Sequence, residues 1–122
     1  MNPQQPIPAG IVLIGMGLLI ALISVPLLHR KVPQNRWYGV RVPASFVSAE
    51  NWYALNEFGA KRLLGLSAAL AVLGLVRLSL PPMPWWVDPA FLLSPLLLLP
   101  FVLKPILAYA DTLPKSPKSP NP

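Results

Sequence analysis

The chain contains no cysteine, which excludes disulfide frameworks, thiolate chemistry and cysteine-based metal sites together. It is also poor in charge: only 11% of its 122 residues are charged, against about a quarter in a soluble domain. So few charges cannot cover a water-facing surface. Acids are scarcest, four against ten Lys/Arg, for a net charge of +6. Most of the basic residues flank greasy segments, so anionic lipid head groups, not nucleic acid, are the expected counter-charge. A single histidine, His29, has neither a second ligand nor a nucleophile nearby in sequence and is expected at a membrane interface. Glu50 and Glu57 are two helical turns apart but lack the supporting His or Asp of a hydrolase. A first-turn position suits Glu50, and an i,i+4 pair with Lys61 suits Glu57. Phosphate-binding glycine loops, Ser/His/Asp arrangements and metal spacings are missing too. The expectation is a non-enzymatic protein without cofactor or metal.

What the sequence has in abundance is long apolar runs. Residues 1–28 carry no charged side chain, and an apolar stretch runs from about residue 7 to 28. At 1.5 Å per residue, about 20 residues cross a ~30 Å hydrocarbon layer. A secretory signal would need a basic start and a small-residue cleavage site, and neither is present. Further apolar runs cover residues 63–80 and 89–110. Between them, PPMPWW stops a helix and supplies two tryptophans suited to the membrane–water boundary. Asp88-Pro89 then reads as an N-cap followed by proline at the first helical position. Pro95, Pro100 and Pro105 predict a bent third helix packed on the other two. Gly17/Ala21 and Gly65/Ala69 have the small-xxx-small spacing of close helix crossings. Arg77 and Lys104 lie near opposite ends of their spans, where both can snorkel.

The fold class is therefore all-α: an integral membrane protein of three transmembrane helices, with a structured cytoplasmic loop-helix between the first two. Residues 1–110 form the membrane domain and 111–122 a disordered Pro/Lys/Ser tail. Six Lys/Arg crowd residues 29–62, and the tail adds Lys115 and Lys118. The positive-inside rule places the N-terminus outside, with loop and tail in the cytoplasm.

The loop carries more than orientation needs. NRWYGVRVP, residues 35–43, packs two arginines, two aromatics, a glycine and a proline into nine positions. Ser48 predicts an N-cap for a helix beginning near Ala49 and running into the second span. On that helix Trp52, Leu55, Asn56 and Gly59 fall at i, i+3, i+4 and i+7, on one face against which the loop can fold. Arg36 or Arg41 could pair with Glu50 or stack on Trp52. Trp37, Tyr38, Trp52 and Tyr53 also suit interfacial anchoring.

Asn35, Gly39, Arg41 and Pro43, then Trp52, Asn56 and Gly59, resemble the signature of the SdpI family, N-x-x-x-G-x-R-x-P followed by W and a short stretch to glycine. The resemblance covers about residues 10–110. The family comprises bacterial integral membrane proteins, and its namesake protects a Bacillus producer from its own secreted killing peptide. The namesake is longer, with additional N-terminal spans and a role in holding a transcriptional repressor at the membrane; the resemblance here covers the shared domain. The resemblance implies a bacterial cell-membrane protein giving immunity or resistance to a membrane-active peptide toxin. It implies a binding site at Asn35, Arg36, Tyr38, Gly39, Arg41, Pro43, Trp52, Asn56 and Gly59. Expected partners are membrane lipids, a peptide toxin or another membrane protein. The rival is a small transporter or lipid-handling subunit, or a signalling partner, binding anionic lipid or a cytoplasmic protein through the basic loop.

Overall fold

A computed structural model describes residues 7–116. Its first helix, α1, spans Ala9–Leu28, an apolar segment of 20 residues long enough to cross a bilayer. Pro26 is accommodated in its last turn, and the buried Ser24 hydroxyl donates to the Ile20 carbonyl at 2.7 Å, so no polar group is stranded in apolar surroundings.

The second helix, α2, runs unbroken over Ala49–Ser79. Ser48 caps it, its hydroxyl accepting the Asn51 amide at 3.0 Å, and Glu50 occupies the first turn. At 31 residues the helix is about 46 Å long, well beyond the ~30 Å hydrocarbon thickness, so its N-terminal turns project past the end of α1. The connection, residues 29–48, folds beside that projection and includes a 3-10 turn at Pro43–Phe46.

The third helix, α3, spans Val87–Thr112 and continues through Pro95, Pro100 and Pro105. Its start differs from the sequence expectation. Trp86 precedes the first helical residue, and no side chain caps the end. Asp88 lies inside the first turn and binds Arg77 instead, Nε to Oδ1 at 2.5 Å. Arg77 has only 14% of its side chain exposed, so ion pairing within the protein replaces snorkelling. The end of α3 also extends past residue 110: Asp111 and Thr112 are helical, and the Pro114 carbonyl accepts from Asn51 Nδ2 at 2.9 Å. Of the expected disordered tail, residues 117–122 lie outside the described residues, as does the proline-rich start at 1–6.

α1 and α2 form the tightest contact, through glycines partly different from those expected. A Cβ on Gly74 would lie 2.5 Å from the Gly10 carbonyl oxygen, and one on Gly10 would lie 2.6 Å from the Gly74 carbonyl oxygen. Gly17 presses on the Ser67 carbonyl in the same way. Gly65 has open space where a side chain would be, so it takes no part in the crossing. The buried core joins Leu13 to Leu55, Leu66 and Leu70 and, from the C-terminal half of α3, Val102, Ile106 and Ala110. Only 11% of the apolar stretch of α3 is buried, against 22% for α1 and α2, so α3 is the helix most exposed to lipid. Leu93, Leu96, Leu97 and Phe101 point outward, as expected where lipid is the solvent.

Candidate functional site: a loop folded on the second helix

The loop is held by side chains that replace backbone pairing. Asn35 Oδ1 accepts the amides of Trp37 (2.8 Å) and Tyr38 (2.7 Å), while its Nδ2 donates to the Pro33 carbonyl at 2.8 Å. This Asx turn sends the chain back toward α2. There Asn56 meets Val40: Oδ1 accepts the Val40 amide at 2.6 Å, and Nδ2 donates to the Trp52 carbonyl at 2.9 Å, with the Val40 carbonyl at 3.5 Å. The carboxamide thus offers the Val40 peptide both an acceptor and a donor, as an adjacent strand would.

Both motif glycines serve this contact. Gly39 has φ +119°, a conformation that L side chains rarely adopt, and a Cβ there would lie 2.5 Å from Asn56 Oδ1. Gly59 lies under Val40, where a Cβ would meet Val40 Cγ2 at 2.6 Å. Trp52 is fully buried. Its indole donates to the Val32 carbonyl at 2.8 Å and packs on Phe46 with ring centroids 5.7 Å apart. It is a core residue of the loop unit, which corrects its expected place among the interfacial anchors. Pro43 opens the 3-10 turn. Tyr38 reaches down to donate its hydroxyl to the Ile23 carbonyl of α1, and burial pushes its phenol pKa up.

The arginines behave otherwise than expected. Neither Arg36 nor Arg41 pairs with Glu50 or stacks on Trp52. Arg41 instead donates to the Arg36 backbone carbonyl, and both arginines are exposed. Trp37, 87% exposed, stands between them in sequence. Glu57 binds Arg30 at 2.7 Å, across the α1–α2 junction, in place of the expected pair with Lys61. Arg30 adopts a left-handed backbone (φ 57°) at this corner.

Two frame residues were not legible in the sequence. The buried Ser45 hydroxyl donates to the Val42 carbonyl at 2.6 Å and accepts the Val42 amide at 3.0 Å. Buried Asn51 Nδ2 bridges the Ala44 and Pro114 carbonyls. Serine and asparagine beside a helix start read as caps and turns, and only their burial marks them as ties. Among the described residues, every buried side-chain nitrogen or oxygen has a partner.

The geometry divides the nine expected site residues into two groups. Asn35, Tyr38, Gly39, Pro43, Trp52, Asn56 and Gly59 build the frame; Arg36 and Arg41, with Trp37 added, form its outer edge. The model of the SdpI/YfhL protein family matches residues 31–108. The chain belongs to this family. The SdpI/YfhL match begins at the folded loop, includes all of α2 and ends in the last turns of α3. With three helices each long and apolar enough to span a membrane, this family member is a multi-pass membrane protein. No curated protein and no solved structure matches the chain.

Proposed function

We propose that this SdpI-like protein is a non-enzymatic immunity factor that protects the membrane holding it from a membrane-active peptide toxin. The observation that carries the proposal is the division of the loop into frame and edge. The frame residues spend their polar groups on backbone within the protein, leaving Arg36, Trp37 and Arg41 exposed on a rigid support. Family membership supplies the biological direction, since the namesake's role is immunity. In this scheme the protein lies in a bacterial cell membrane, N-terminus outside, with loop and C-terminus on the cytoplasmic side. A peptide that has entered the bilayer meets the edge at head-group level, where the arginines bind its carboxylates or carbonyls and Trp37 its apolar face.

The test is to express the chain in cells sensitive to secreted membrane-active peptides and record survival. Protection against one such peptide is expected. Arg41→Ala should remove it without lowering the amount of protein in the membrane. Unchanged sensitivity to every peptide would overturn the proposal, and anionic lipid held in the purified protein through Arg36 and Arg41 would then favour the lipid-handling alternative.

A further inference from the structure

A groove of about 260 Å³ runs between α2 and α3 on the lipid-facing side, away from the motif loop. Its floor is Gly65 and Ala69, its wall Phe101 and Val102, and at one end stand Lys61 and Arg62. Gly65 has no atom within 4 Å of the place its side chain would occupy, so the depression is open.

The charge at its mouth has no internal answer. Among the described residues the only acids in ion pairs are Glu57, taken by Arg30, and Asp88, taken by Arg77. Lys61 and Arg62 are exposed, and the Arg62 guanidinium rests 5.2 Å from the centre of the Phe58 ring, itself stacked on Tyr109 of α3. On α3, exposed Lys104 lies one helical turn beyond Phe101 and adds a third cation toward the same end. Position along the helix completes the case. From Lys61 to Arg77 is sixteen residues, about 24 Å of rise against a ~30 Å hydrocarbon layer. With Arg77 near one boundary, Lys61 and Arg62 come within about 6–8 Å of the other, a gap their long side chains span by snorkelling toward the lipid phosphates.

We propose that this groove binds an anionic glycerophospholipid, with its phosphate between Lys61 and Arg62 and one acyl chain along Gly65, Ala69 and Phe101. A ligand for this site needs an anion at one end and a flexible apolar chain below it, and a lipid in the surrounding leaflet provides both without leaving its own orientation. The site is separate from the Arg36/Arg41 edge and does not depend on the immunity proposal.

Native mass spectrometry of the full chain, released from bilayers holding phosphatidylglycerol and phosphatidylcholine with identical chains, tests this. Phosphatidylglycerol should be retained about tenfold over phosphatidylcholine, as expected for a few basic groups at the membrane surface. The double variant Lys61→Gln/Arg62→Gln should lose the preference, and Arg36→Gln/Arg41→Gln should keep it. Gly65→Leu, which fills the open floor, should reduce retention of both lipids. Helix content and melting temperature, unchanged in the Gln variants, separate loss of the site from loss of the fold. Equal retention of the two lipids overturns the proposal, as does a preference that follows Arg36 and Arg41. Displacement by soluble glycerol phosphate, or a hydrophobic peptide retained in place of lipid, overturns it as well.

Discussion

Asn56 makes its bonds to Val40 and Trp52 where little water can replace them, so losing its side chain leaves the Val40 amide without an acceptor. Asn56→Ala should cost about 1–3 kcal/mol, the range for a stranded buried polar group. Gly39→Ala should cost a similar amount, about 1–3 kcal/mol, because of its positive φ and the collision with Asn56 Oδ1. The two changes should not add: once Asn56 is shortened, the collision term of Gly39→Ala disappears. A double-mutant cycle of thermal unfolding in detergent reads this coupling, and strict additivity would refute the contact. Tyr38 gives a pH-dependent counterpart. Burial raises its folded pKa above the unfolded value, so the folded state holds the proton longer. Stability should therefore be undiminished below the ordinary tyrosine pKa and fall as pH climbs through and above it, when the phenolate can no longer donate to Ile23. Tyr38→Phe should flatten that alkaline decline. At this scale the sequence singled out residues that the fold brings together, but not the contacts they make. Gly39 was legible as a position where a side chain would strain or clash, whereas the pairing of Asn56 with Val40 depends on a loop path that no local pattern encodes.

The helices were the more legible level, because apolar run length and cap chemistry are local properties. Ser48, the run-on of α2 from Ala49, and three helices long and apolar enough to span a membrane appear as expected, while both ends of α3 differ. The misses arose where long-range partners compete with local rules. Asp88 has the sequence context of a cap, but a cation eleven residues earlier offers it a stronger partner. Glu57 has Lys61 one turn away and takes Arg30 instead. The two ion pairs should differ in strength. Arg30 and Glu57 are 52% and 31% exposed, so solvent screens them and their coupling should stay below about 1 kcal/mol. Arg77 is mostly buried, so Asp88→Asn should cost more, about 1–3 kcal/mol, by leaving a shielded charge unpaired. Thermal melts of the two single variants and their cycles would reveal a reversed order. Helix crossing offers a second contrast: Gly74→Val should loosen α1 from α2, whereas Gly65→Ala should be close to neutral.

Taken whole, the molecule is a tight α1–α2 hairpin with a loop unit folded on one end and a third helix docked mainly through its C-terminal half. Composition alone revealed the membrane as solvent, since charge so sparse leaves no other. It could not reveal that the loop is part of the packed structure, because Val40 and Val42 join the edge of the helical core only after the chain has turned at Asn35. The expected orientation has a direct check, helped by the absence of cysteine. Exposed Gln34 and Met83 lie at opposite ends of the molecule. In intact cells an impermeant thiol reagent should label Met83→Cys and spare Gln34→Cys; the opposite pattern would invert the topology.

The central claim is that the motif residues build one rigid unit from loop and α2, with Arg36, Trp37 and Arg41 facing outward. Amide hydrogen exchange at Val40 in the full chain tests it most directly. The Val40 amide should exchange about as slowly as amides in the middle of α2 and become fast in Asn56→Ala, while the α2 amides beyond Gly59 keep their protection. An amide at Val40 that exchanges as fast as that of exposed Gln34 in the unaltered protein would contradict the claim.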